Sequence, residues 1–384
     1  MSSDLFSLEK KKERIANLFS GKPQDKVPFY LKTDGYLSYF TGRGCPANIH
    51  SWEEAVAVNV EACNALNPDA IHFFTPYHLV IPDFAQLLGG SSRCLSETGV
   101  PQLDAQNVVI MSDSEYAKLL DDPAEYLINE VYPRRYPKLR KEVPAEERKA
   151  ALAQAMGVIG KMGGLFNECE EKAQTIAFSQ SAMVNGVDQI FDYYRDFVGI
   201  SKDLRRCPDL LREVGLKMTE QILSMANGVE PIPYKVVEIP CHLGAYISPK
   251  QFERIYWPSF KLLVDTLHDK GFNVDLMLEK NYTHVHYLLQ DLPSDRIMCL
   301  MEEDDLEQSR KDLPNLILAG GLSQKLMAYG TKEMVEAHVK WLIVVMAADG
   351  KFVIAPTIPF MIPGDCAYEN MQTAAGIIAT YGVK

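Results

Sequence analysis

Glu279, His242 and the acidic run Glu302 to Asp305 are the residues of this chain whose type and setting most invite chemistry. Glu279 directly follows the apolar stretch Val274 to Leu278, and a charge at the mouth of a buried strand needs a partner. His242 stands just beyond Val236 to Ile239, and Glu303 just beyond Arg296 to Met301. Two carboxylates and an imidazole on neighbouring strands can move protons, or hold a divalent cation with a position left open for water or a substrate oxygen. Glu279, His242 and Glu303 are therefore expected to be catalytic. Glu279 and His242, with Cys366 as a soft third donor, are the expected metal-ligand set. Asp34, Tyr36, Tyr77, His78, Gln180 and Asn281 follow other apolar runs or flank Glu279, and are expected to line a substrate pocket. Simpler readings stand beside these. The acidic run reads equally as a solvated loop, and His242 as the cap of the next helix. His284 and His286, spaced i and i+2, point in different directions on a helix and are expected at the surface.

Residues so far apart in sequence need a scaffold that collects them. Eight short apolar runs supply one: Val27 to Leu31, Ala70 to Phe74, Thr175 to Phe178, Val236 to Ile239, Val274 to Leu278, Arg296 to Met301, Leu316 to Ala319 and Phe352 to Ile354. Continuous apolar strands separated by helix-length segments indicate a parallel sheet buried on both faces. Eight of them predict an α/β fold, a (β/α)8 TIM barrel, in which the chemistry lies at the carboxyl ends of the strands. Helices are expected over Leu8 to Phe19, from Ser248-Pro249 onward with a kink or restart at Pro258 and an end at Gly271, and from Thr331 along the stripe Val335, Val339, Leu342, Ile343 and Met346. Between Phe74 and Thr175 the chain runs far beyond the roughly 2 to 6 residues of a βα loop. We expect a single barrel domain over residues 1–384 with a helical insertion at about 83–174, or, as the alternative, an additional strand at Val108 to Met111.

Composition bounds the partners. With 39 Lys and Arg against 51 Asp and Glu the net charge is −12, which opposes attraction to nucleic acid or an anionic membrane. No apolar stretch reaches the roughly 20 residues that span a bilayer, and the first residues lack a signal peptide's apolar core, so a cytoplasmic protein is expected. The eight cysteines include no Cys-x-x-Cys pair and read as free, buried thiols.

Three groups of motifs, taken together in order and spacing, resemble the uroporphyrinogen decarboxylase superfamily. They are Ser248 to Pro258 with Gly271 to Asn281, the opening Lys11 to Arg14 with Gly21 to Pro28, and the tail Gly330 to Val335 with Tyr368 to Asn370. The resemblance implies a (β/α)8 fold and one of two chemistries, decarboxylation of porphyrinogen acetates or methyl transfer to or from corrinoid proteins, usually with zinc. Decarboxylases of the family carry an arginine-rich first loop, whereas Leu31 to Tyr39 contains no arginine, so a polyanion lacks its clamp. Thiol-directed methyltransferases carry His-x-Cys-Gly-Asn where this chain has Met277 and Glu279, so the soft ligand pair is missing. The resemblance is thus to the corrinoid-dependent branch that removes methyl groups from methyl ethers or methylamines. It implies a corrinoid on a partner protein as acceptor, zinc as a further cofactor, and a homodimer as a common assembly. The insertion, with Arg134 and Arg135, would serve as a lid, a docking face for the corrinoid protein, or a dimer contact. The competing expectations are a non-redox decarboxylase or lyase of a small carboxylic acid, with Glu279 as proton donor, and a noncatalytic corrinoid-binding module.

Overall fold

The computed structural model describes residues 3–72, 74, 84, 86–90, 93–96, 101–103 and 110–383. Its architecture is α/β with parallel sheets. Strands β1 (Tyr30–Leu31) and β2 (Ala70–Ile71) open the chain's sheet structure, and β3 (Arg93–Leu95) and β4 (Pro101–Leu103) form a separate antiparallel pair. Strand β5 (Ile176–Ala177) completes a parallel sheet in the order β1-β2-β5. Strands β6 (Ser179–Ala182), β7 (Val236–Cys241), β8 (Asn273–Leu278), β9 (Ile297–Met301), β10 (Ile317–Leu322) and β11 (Phe352–Pro356) form a second parallel sheet in sequential order. Each of the eight apolar runs carries a parallel strand.

Two seams join the sheets. Phe178 lies between β5 and β6; its N–H donates to the carbonyl of Ile71 and its own carbonyl accepts from Val236, both at 3.0 Å. At the other edge the Ile354 N–H donates to the Pro28 carbonyl at 3.0 Å, and Phe29 pairs with Ile354 in parallel.

Side-chain alternation explains why the strands read as unbroken apolar runs. Phe29, Leu31, Val237, Ile239, Val274, Leu276, Leu278, Cys299, Leu318 and Ile354 belong to the large cluster shared with the helices. Their neighbours one residue along, including Tyr30, Ala70, Phe178, Val236, Met277, Met298, Leu300, Ala319 and Val353, form a second cluster on the other face. Both faces are dry, so both parities are apolar. The helix Leu8–Phe19, capped by Ser7, contributes Leu8, Ile15, Leu18 and Phe19 to that second cluster and lies across the amino ends of the strands. Ser248 and Gln251 form the expected capping box with Pro249 in the first turn. A π-helical turn at Phe252–Tyr256 then leads into Trp257–Asp269, with Pro258 at its start, and Gly271, at φ 89°, turns the chain into β8. Thr331 caps Lys332–Trp341, which buries Val335 and Val339.

The segment expected as an insertion contains the β3-β4 pair, short helices from Tyr116 to Arg135 and the long helix Ala145–Ala173. Val108 lies outside the described residues, and Ile110 and Met111 are not in a strand. Among the described residues, no helix is long and apolar enough to cross a membrane.

Candidate active site

Strands β7 and β8 run side by side in register, with Glu238 opposite Asp275 and Cys241 opposite Leu278. His242 and Glu279 therefore emerge together at their carboxyl ends. The His242 ring sits between two carboxylates: Nδ1 is 2.7 Å from Asp192 and Nε2 is 3.3 Å from Glu279. Burial alone would lower the His242 pKa, but its bonds to Asp192 and Glu279 raise it to about 11, so the ring is an imidazolium at neutral pH. Burial would raise Glu279, yet His242, Lys32 and Lys280 hold it below the usual carboxylate range. Glu279 is thus an ionised acceptor at neutral pH, which makes it a poor proton donor.

Asp192 reaches His242 because of local helix geometry. The short helix Gly186–Ile190, capped by Asn185, runs into a π-helical turn at Phe191–Arg195, so the helix carries Asp188 and Asp192 toward β7. π turns are rare and concentrate at functional sites. The turn ends at Asp196, whose φ of 60° and ψ of 179° lie in a region that favours glycine; its carboxylate accepts from the Gly199 N–H at 2.6 Å. Asp188 is fully buried and accepts from the Tyr256 hydroxyl at 2.5 Å and the Leu243 N–H at 2.8 Å. Burial and the charge on Asp192 push Asp188 up to about 7, against the pull of His242.

Below this rim the interior face carries more charge. Glu238 and Asp275 share the parity of Val236 and Met277, and Lys32 and His72 that of Tyr30 and Ala70, so all four point inward. The four are buried. Glu238 is 3.4 Å from the Tyr30 hydroxyl and 3.3 Å from His72 Nε2. Burial and the neighbouring Glu238 push Asp275 up to about 8, opposed by Lys32. Burial lowers the Lys32 ammonium, opposed by the field of Asp275, Glu279, Glu238 and Glu302.

The residues singled out from sequence divide into three groups. His242 and Glu279 come together. Glu303 is exposed and reaches them only through Lys280, whose ammonium is 3.0 Å from Glu302 and 2.9 Å from Glu303; Glu302 is the acid that shares the field of Lys32. The third group is engaged elsewhere or undescribed. Both ends of the Gln180 amide bind the backbone at Glu230 and Ile232, which leads into the amino end of β7. Asn281 braces its own loop through Glu303 and Thr283. Tyr36 is buried against Phe40 and Phe360, and the half-buried Asp34 donates its N–H to Phe360. Tyr77 and His78 lie outside the described residues.

His286 corrects the surface expectation: it is buried between Asp304, at 3.1 Å, and Asp312, at 2.9 Å, and so fixes the acidic loop from inside. That loop is only partly solvated, since Asp304 also accepts from the Tyr282 N–H and the Thr283 hydroxyl, and Asp305 caps the helix Leu306–Asp312. Arg134 and Arg135 both have partners within the chain. Arg134 binds Glu115 and Glu130, and Arg135 donates to the Tyr193 carbonyl within the π turn.

The expected zinc set is not assembled. Cys366 lies against Tyr36, with burial pushing its thiol up to about 12, far from the thiolate a metal requires. Both His242 ring nitrogens are engaged by carboxylates. Among the described residues, no three His, Cys, Asp or Glu side chains group at metal-ligand spacing. These donors do not fit zinc, and no step below runs through it.

The chain is similar to the solved structure of a methyltransferase from Methanosarcina mazei, with a TM-score of 0.63 over 97% of this chain and 98% of that one. Identity between the two is 15%, so what they share is the fold. No protein-family model and no curated protein matches the chain.

Proposed function

We propose that the two sheets form one closed (β/α)8 barrel, in a single domain with an insertion at about 83–174, and that the protein is a methyltransferase. It moves a methyl group from a small methylated substrate, of methyl ether or methylamine type, to the cobalt of a corrinoid on a partner protein. The observation that carries this reading is the His242 imidazolium clamped between Asp192 and Glu279 at the strand ends. The fold shared with a methyltransferase supports it.

The corrinoid supplies the nucleophile that accepts the methyl group. This chain's residues hold the methylated atom in line and stabilise what departs, the two tasks that positioning and fixed charge perform best. Asp192 fixes the tilt of His242, and His242 fixes Glu279, whose carboxylate also lies in the field of Lys32. Exposed Phe197, Val198 and Tyr246 flank this corner, with the Phe197 and Tyr246 rings 5.5 Å apart, and offer an apolar rim for the partner. The rim adjoins a cavity of about 420 Å³ lined also by Lys202, Arg205 and Arg206.

The test supplies reduced cobalamin and a panel of methylated substrates, and follows both loss of the substrate methyl and methylation of cobalamin. Glu279→Gln keeps the shape of the half-exposed side chain and removes its charge, so turnover should fall about 10²-fold or more with the fold intact. Full activity in that variant overturns the site. No methyl transfer from any substrate overturns the function and favours the decarboxylase or lyase reading.

A further inference from the structure

The interior cluster makes sense once each charged group is matched to its partner. Glu279 is held by His242, Glu302 by Lys280, and Glu238 by Tyr30 and His72. Two groups remain. Lys32 is 4% exposed, and among the described residues its ammonium makes no hydrogen bond and no close ion pair. Asp275 is fully buried, and among the described residues neither carboxyl oxygen has a hydrogen-bond partner. Lys32, one residue past β1, shares the parity of Tyr30, and Asp275 on β8 shares that of Met277, so both point to the same interior face, Asp275 four residues deeper along its strand than Glu279.

An unengaged buried ammonium and an unengaged buried carboxyl in one space indicate a missing third group. Asp275 lies directly opposite Glu238 in the register, and two adjacent carboxyls out of water do not both ionise. Asp275 has Glu238 beside it and no donor of its own among the described residues, and burial with that neighbour pushes it up to about 8, so it keeps its proton at neutral pH. Lys32 then offers N–H groups and Asp275 an O–H. The matching ligand atom is an oxygen that accepts. A quaternary ammonium ion offers no acceptor, and its charge would lie against that of Lys32.

We propose that Lys32 and Asp275 form a donor pair that receives the oxygen leaving the methyl group, and that the methylated substrate is accordingly a methyl ether and not a quaternary ammonium ion. This rests on the methyl-transfer reading above. The carbon–oxygen bond breaks with both electrons left on oxygen, while the new bond to carbon uses the electron pair of the accepting cobalt(I) nucleophile. The oxygen takes a proton from the Lys32 ammonium, Asp275 returns one to the amine, and solvent at the rim reloads Asp275. One proton is consumed per methyl moved.

Calorimetry on the full chain without corrinoid, with 2-methoxyphenol and tetramethylammonium chloride as probes, tests the pair. The ether should bind, and Lys32→Met should weaken it at least tenfold, with Lys32→Arg restoring part of the affinity. Asp275→Asn, which retains a donor, should bind within about threefold of the native chain, and Asp275→Leu at least tenfold more weakly. Circular dichroism confirms that each variant is folded. Tighter binding of tetramethylammonium, ether binding indifferent to Lys32, or no ether binding overturns the proposal. The two readings separate cleanly: Lys32-dependent ether binding without turnover sinks methyl transfer alone, and ether turnover with binding indifferent to Lys32 sinks the donor pair alone.

Discussion

The two ends of the strands bury similar charges and treat them in opposite ways. At the amino ends, fully buried Asp69 accepts from Arg14, from the Lys26 ammonium at 3.0 Å and from the Phe29 N–H at 2.7 Å, while Arg14 also grips Asp25. Burial alone would raise Asp69, but Lys26 and Arg14 hold it below the usual range. Farther along the interior, Lys32 and Asp275 are also buried, and among the described residues they have no such partners. Saturated charge fixes a position; unsaturated charge keeps a place for something else.

Breaking the saturated end should produce the largest effect. Asp69→Ala strands Arg14 and Lys26 without their acceptor, and chemical denaturation should show a loss of about 3–5 kcal/mol. The unsaturated end should behave differently. Asp275→Asn removes no hydrogen bond, so the same measurement should place it within about 1 kcal/mol of the native chain. A loss as large as that of Asp69→Ala would erase the contrast.

Titration sharpens it further. The folded pKa values of Asp275 and Asp188 are raised to about 8 and about 7. Such acids favour the fold fully below their unfolded value of about 4, and that stability is lost as pH rises through the folded values. Denaturation midpoints should therefore decline between about pH 4 and pH 8, and Asp275→Asn should flatten the upper part of the decline. His242 works in another window: raised to about 11, it contributes fully below about 6.5, and that contribution declines as pH rises from there through about 11. Its ring resonances should not titrate between pH 6 and pH 9. The smallest effect belongs to an exposed pair. Arg254→Ala, which breaks the contact with Asp209, should change stability by less than about 0.5 kcal/mol.

Much of this molecule was legible as a sequence. The strands were readable because both of their faces are dry, and His242 and Glu279 because they follow such strands directly. The inner charges were hidden within the same runs. Glu238 and Asp275 interrupt Val236 to Ile239 and Val274 to Leu278, and reading those stretches as uniformly apolar passes over them. The available signal was parity, since positions 275, 277 and 279 share one face. Asp192 gave no comparable sign, because a π turn places it and its irregularity leaves no periodic trace. Gln180 misled because a residue just past a buried run can as easily brace a neighbouring loop as face a ligand.

The helix Leu8–Phe19 has one last consequence. Phe19 stands 6.4 Å from Phe178 and Tyr30 4.7 Å from it, ring centre to ring centre, so the bottom of the interior is plugged with aromatic rings. In the proposed barrel, that leaves the carboxyl-end rim as the route for small molecules. Under the proposed chemistry the small molecule must enter first and the bulky protein must close the opening behind it, so the emptied product stays trapped until its escort steps away.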